Sequence, residues 1–120
     1  MASSGTRLRV KRDNDVTVVE FVDRNILDEA NIQAIHDEIA AIIEAGPKPR
    51  LLISFSNVDH LSSAALGTLI SINNRVKAQE GQLRLANIDP QIMEVFMITR
   101  LNRIFSIHDG VADAMGSFEK

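Results

Sequence analysis

Leu51-Leu52-Ile53-Ser54-Phe55 and, two residues later, Val58-Asp59-His60-Leu61-Ser62-Ser63-Ala64-Ala65-Leu66-Gly67-Thr68-Leu69 decide how this chain folds. The first stretch is a nearly unbroken apolar run of strand length, as expected of a parallel strand covered on both faces. In the second, apolar residues begin to recur at helical spacing, and the inward stripe reads as Ala65, Leu69, Ile72 and Val76, broadened by Leu66 and Ile70. The unit is therefore a strand, a short loop and a helix whose first turn carries adjacent serines. A phosphorylated hydroxyl there would meet the exposed N–H groups and the positive end of the helix dipole, which makes this a candidate switch position.

Similar units extend to either side. Leu8 to Lys11 and Val16 to Val22 flank the turn-rich Asp13-Asn14-Asp15 and predict a hairpin. Ile32, Ile35, Ile39 and Ile42 step by three and four, predicting an amphipathic helix capped near Asp28 and stopped by Gly46-Pro47. The helix that begins at the serines ends near Gly81, and Leu83 to Ile88 reads as a strand. Asp89-Pro90 opens a third helix, because proline in the first turn forfeits only an N–H that has no partner there. Arg103 to Ile107 supplies a last short strand, and Val111 to Phe118 a closing helix after Asp109-Gly110. The predicted order is ββαβαβαβα. It implies a single α/β domain over residues 8–118, with a mixed sheet covered by helices mainly on one face and a flexible amino terminus over 1–7.

Composition narrows the function. The 120 residues suffice for one domain with a genuine core, and 45% hydrophobic with 24% charged residues is ordinary globular usage. The net charge of −3, from 13 basic and 16 acidic residues interspersed, leaves no electrostatic footprint for nucleic acid or a membrane surface. No apolar stretch nears the roughly 20 residues that span a bilayer, and the first seven residues lack the apolar region of a signal peptide, so the expected location is the cytoplasm. Zero cysteines remove disulfides, thiolate metal sites and cysteine nucleophiles together. His36, His60 and His108 are scattered without metal-ligand spacing. Neither a phosphate-binding Gly-x-x-x-x-Gly-Lys-Ser/Thr loop nor a Gly-x-Gly-x-x-Gly fingerprint is present, and no cofactor is implied.

Asp59, His60, Ser62 and Ser63 have the residue types of a nucleophilic triad, but adjacency in sequence is not triad geometry. The glycine positions of a nucleophile elbow around Ser63 hold Leu61 and Ala65, so a hydrolase is disfavoured. Serine is also a preferred N-cap residue, and capping by Ser62 is compatible with modification of Ser63.

The element order, with an apolar strand running into Ser-Ser-x-x-Leu-Gly at a helix start, resembles the STAS domains of bacterial anti-sigma factor antagonists. The likeness spans roughly residues 8–118 and is carried by Leu27-Asp28, by Ser62 to Gly67, and by Asp89-Pro90 with Phe96, Leu101 and Phe105. The family motif reads approximately Asp-Ser-Ser/Thr-Gly-Leu-Gly, and its first hydroxyl residue after the aspartate is phosphorylated. Aligned on Leu66-Gly67, Ser63 takes the phosphoacceptor position, with Ser62 as the second choice. Ser62 itself stands at the aspartate, Ala64 at the second hydroxyl and Ala65 at the glycine.

The resemblance implies a partner-switching regulator that is not an enzyme. Its partner would be an anti-sigma factor of histidine-kinase-like ATPase fold that is also the serine kinase, and a serine phosphatase would reset the cycle. Asp28, Asn57, Asp59, Ser62, Ala64 and Thr68 are the candidate partner-binding residues, Asp28 being equally readable as an N-cap. Phe96, Leu101 and Phe105 are read as core or subunit contact, and Met93 and Met97 as gap fillers. The alternative is a non-switching STAS scaffold or interaction module, including a homo-oligomer, in which the same surface assembles without chemical control.

Overall fold

The computed structural model describes residues 8–13, 15–22, 25–26 and 29–118 of the chain. The predicted hairpin is present: β1 (Leu8–Asp13) and β2 (Val16–Phe21) pair antiparallel, Leu8 opposite Phe21 and Asp13 opposite Val16. β1 is buried only at Leu8, and its Arg9, Lys11 and Arg12 give the sheet an edge that resists pairing with another chain. A two-residue strand, β3 (Asn25–Ile26), precedes α1 (Glu29–Glu44). β4 (Arg50–Ser54) follows, then another two-residue strand, β5 (His60–Leu61), and α2 (Ser63–Ala78). β6 (Gln82–Ala86), α3 (Pro90–Ile98), a 3₁₀ turn at Leu101–Arg103, β7 (Ser106–His108) and α4 (Val111–Gly116) complete the chain's order.

The main sheet runs β1-β2-β4-β6-β7, with every pair after the hairpin parallel. β4 is its middle strand, which is why Leu51, Leu52 and Ile53 are all apolar and buried. Leu51, Ile53 and Phe55 join Val19, Phe21, Leu83 and Leu85 in a layer sealed by α1, α2 and α3. Leu52 joins Val16, Val18 and Ala86 on the opposite side, where α4 supplies Ala114 and the chain beyond it Phe118. Three helices on one face and one on the other is the arrangement expected from the sequence.

The helical stripes fall where the spacing puts them, except that Ile43 rather than Ile42 is the fourth buried isoleucine of α1. α1 buries Ile32, Ile35, Ile39 and Ile43, with Ile42 half-buried beside them; α2 buries Ala65, Leu69, Ile72 and Val76, together with Asn73, which the apolar pattern does not flag. α3 starts as predicted, the Asp89 carboxylate accepting a hydrogen bond from the Gln91 N–H at 2.9 Å with Pro90 behind it. Gly81 is required by close approach: a Cβ there would lie 2.3 Å from the Pro49 carbonyl oxygen, which accepts from the Gln82 N–H at 2.8 Å. The left-handed residue ending α2 is instead Glu80, with φ 61°.

Two expectations are corrected. The last strand starts at Ser106 rather than Arg103, because Arg100 turns through a left-handed φ of 64° into the 3₁₀ turn, which carries Leu101 and Phe105 into the core. Phe105 there meets Phe96 with ring centroids 5.8 Å apart. The predicted order also lacked β3 and β5, which pair parallel through Asn25 with His60 and Ile26 with Leu61 as a separate two-stranded sheet. The predicted flexible segment over 1–7 lies outside the described residues.

Candidate functional site

The loop between β4 and α2 is held at both ends. The Phe55 N–H donates to the Ala86 carbonyl and the Val58 N–H to the Phe55 carbonyl, each at 2.9 Å, and the Val58 side chain is buried. Asn57 is exposed, yet its amide nitrogen donates to the Phe21 carbonyl at 3.2 Å, tying the loop to the end of β2. Pairing of β5 with β3 fixes the last residues before the helix.

Ser62 then caps α2. Its backbone is extended (φ −82°, ψ 166°), its hydroxyl oxygen accepts from the Ala65 N–H at 3.2 Å, and its carbonyl accepts the first helical bond, from Leu66, at 3.1 Å. Burial of Ala65, Leu69, Ile72 and Val76 sets the rotation of the helix, and that rotation turns Ser63, Ala64 and Gly67 to the surface. Ser63 is thus the first helical residue and exposed, and its hydroxyl joins no hydrogen bond among the described residues. The first turn carries no acidic side chain, and the basic residues Arg75 and Lys77 lie in the last turn. An anion at Ser63 would therefore meet the positive helix end without a competing carboxylate in that turn.

The predicted partner-binding residues divide in three. Ser62, Ala64, Asn57 and Asp59 gather around the helix start, Ala64 and Asn57 exposed, Ser62 and Asp59 half-buried. Thr68 is half-buried, and it also borders a gap of about 10 Å³ between α1 and α2, lined by Phe21, Ile35 and Leu69 among others. Asp28 lies outside the described residues.

Beside the helix start is a feature that the sequence analysis missed. Asp59, His60, Leu61 and Leu66 form one wall of a cleft of about 480 Å³, and Gln91, Ile92 and Val95 of α3 form the other. The available signal was the composition of α3, Pro-Gln-Ile-Met-Glu-Val-Phe-Met-Ile, which is apolar nearly all round although Ile92 and Phe96 alone are buried. Val95, Met97 and Ile98 are left 41%, 59% and 76% exposed. Met93 does pack against the core, as a gap filler should; Met97 does not.

The serine–histidine hydrogen bond among the described residues joins Ser106 to His108 on β7 at 3.1 Å, far along the chain from His60 and Ser63. Among the described residues no cluster of three or more His, Asp or Glu could hold a metal ion, and no helix is long and apolar enough to cross a membrane.

Comparison with known proteins bears on this geometry. Residues 7–114 match the family model described as "STAS domain". The anti-sigma-B factor antagonist of Bacillus subtilis is 26% identical over 100 residues, covering 81% of this chain and 84% of its own. An anti-sigma-factor antagonist (STAS) domain protein from Planctomyces limnophilus superposes with a TM-score of 0.84 at 21% identity, over 92% of this chain and 96% of that one. The Bacillus cell fate determinant SpoIIAA in its phosphorylated form gives a TM-score of 0.66 at 16% identity, over 87% and 91%.

Proposed function

The chain belongs to the STAS domain family, and from that premise we propose that it is an anti-sigma factor antagonist, a regulatory binding protein controlled by phosphorylation of Ser63. In the unmodified state the start of α2 and its preceding loop bind an anti-sigma factor, releasing the sigma factor. That partner has a histidine-kinase-like ATPase fold and phosphorylates Ser63; a serine phosphatase restores the hydroxyl.

One observation carries the proposal: Ser63 is exposed at the first position of a helix whose cap is already provided by Ser62. The two serines are therefore separable in role. Serine and aspartate are nearly equal as N-cap residues, so Ser62, at the family's aspartate position, still caps the helix here. Its hydroxyl is engaged with Ala65, whereas that of Ser63 is available to a kinase. The exposed Ala64 and Gly67 add little bulk beside it, which suits close approach of a partner.

A phosphoserine brings about −1.5 to −2 charges at neutral pH. Within the free domain the helix end accommodates them. Against a partner packed on the bare hydroxyl they bring volume and a desolvation cost, and each 1.4 kcal/mol lost lowers affinity about tenfold. The modification thus breaks the complex without unfolding its bearer.

The test is affinity capture from lysate of the source organism on wild-type, Ser63→Ala and Ser63→Glu baits, with intact-mass analysis of each bait after incubation with ATP. The switch requires recovery of a kinase-like ATPase on wild type, its loss on Ser63→Glu, and a phosphoryl mass increment that Ser63→Ala abolishes. Equal recovery of the same partners on all three baits would assign the non-switching scaffold instead.

A further inference from the structure

Asp109-Gly110 joins β7 to α4 and is the one Asp-Gly or Asn-Gly step in the chain. The Ser63 surface makes no use of it, and the fold leaves its reacting groups open. Asp109 is exposed, and its carboxylate enters no hydrogen bond or ion pair among the described residues. The Gly110 N–H likewise donates no hydrogen bond among the described residues, although the Gly110 carbonyl accepts the first bond of α4, from Ala114 at 3.0 Å. Both groups fall between His108, the last residue paired in the sheet, and Val111, the first residue of the helix. Neither strand pairing nor helical bonding withdraws them.

Glycine matters here for access rather than for backbone angle. Gly110 is extended (φ −145°, ψ 171°), a conformation open to any residue, and a Cβ there would meet Asn87 Oδ1 at an ordinary 3.8 Å. The missing side chain instead leaves the amide nitrogen unshielded toward the preceding carboxyl group.

We propose that Asp109-Gly110 converts spontaneously to isoaspartate in the folded protein and that the conversion loosens α4. The Gly110 nitrogen gives up its proton and attacks Asp109 Cγ. A C–N bond forms, a carboxyl C–O bond breaks, and the oxygen leaves as water with the amide proton and a proton from solvent. The product is a five-membered succinimide, which water reopens. Addition at Cγ restores aspartate, whereas addition at the main-chain carbonyl leaves the peptide running through Cβ and Cγ with the α-carboxylate free. The main chain then carries one extra carbon between His108 and Val111. That spacing matters because α4 covers its face of the sheet alone among the described helices, where Ala114 and, beyond the helix, Phe118 close the smaller core. The His108 ring and the Asp113 carboxylate also meet across the step, at 3.6 Å.

The experiment incubates the full chain, folded and in urea, in neutral buffer made with heavy-oxygen water, followed by peptide mapping with electron-transfer fragmentation. Folded wild type is expected to take up the label at Asp109 and to accumulate isoaspartate there, at a rate within several-fold of that in urea. Asp109→Asn should convert faster, losing ammonia through the same ring. Gly110→Ala should fold normally and convert several-fold more slowly. Amide exchange at Ala114 and Ser117 should be faster in the converted fraction than in fresh protein. Conversion confined to the urea sample, equal conversion in Gly110→Ala, or unchanged exchange in α4 of the converted protein would overturn the proposal.

Discussion

α2 and α3 lie in the same layer over the same sheet, yet they leave opposite kinds of surface. α2 buries a clean stripe and turns small residues, Ser63, Ala64 and Gly67, outward at its start. α3 buries Ile92 and Phe96 and leaves Val95, Met97 and Ile98 in solvent. The first helix is finished as a folding unit, and what it exposes is a place for chemistry. The second has more apolar surface than its own core consumes. Composition separates the two, since α3 is apolar nearly all round, but periodicity reports which residues can be buried and not how much of a helix the rest of the fold covers.

The largest effect that would sharpen this contrast lies within α3 itself. Phe96 is fully buried against Phe105, so Phe96→Ala should destabilise the domain by about 3–5 kcal/mol through lost transfer energy and a residual cavity. Ile98→Ser, two residues away and 76% exposed, should shift stability by less than about 0.5 kcal/mol. Urea denaturation of both variants measures the difference. Similar losses from the two substitutions would show that the outer face of α3 is covered in the folded protein and would remove the contrast.

A smaller effect separates the two serines of α2. Ser62→Ala removes the acceptor of the Ala65 N–H and should cost about 1 kcal/mol, whereas Ser62→Asp should leave stability nearly unchanged. Ser63→Ala, outside the cap bond and exposed, should fall within about 0.5 kcal/mol of wild type. Equal losses at both serines would mean that the cap is shared, and the division of roles between them would fail.

Most of what the helices and long strands do is written locally in the chain. The isoleucines of α1, the stripe of α2 and the Asp89-Pro90 start of α3 all act within one element, so spacing and cap chemistry reveal them. The two-residue strands β3 and β5 are invisible by the same measure: each is too short to have a period, and each exists because the other is brought alongside. Arg103 to Ile107 has strand-like composition, whereas the left-handed turn at Arg100 and the burial of Leu101, which hold Arg103 out of the strand, are tertiary outcomes. At the site, Ser62 and Ser63 were legible because helix starts have a chemical signature. The cleft toward Gln91 and Val95 was not, since its two walls are some thirty residues apart in the chain and no local rule joins them.

The subtlest test concerns the sign of a small number. Ser63→Glu places a carboxylate at the first position of α2, where the chain has no other acid in the first turn and the helix dipole favours negative charge. The free domain should therefore be stabilised, by about 0.3–1 kcal/mol at low ionic strength, with the gain shrinking as salt is added. A urea midpoint that rises slightly in dilute buffer and returns toward wild type in high salt would identify the helix end as the cause. The result bears on mechanism because the switch needs a modification that is costly only in the complex. Should Ser63→Glu destabilise the isolated domain instead, loss of a partner in the capture experiment could follow from unfolding, and the start of α2 would no longer differ from α3 in being a surface built to receive a charge.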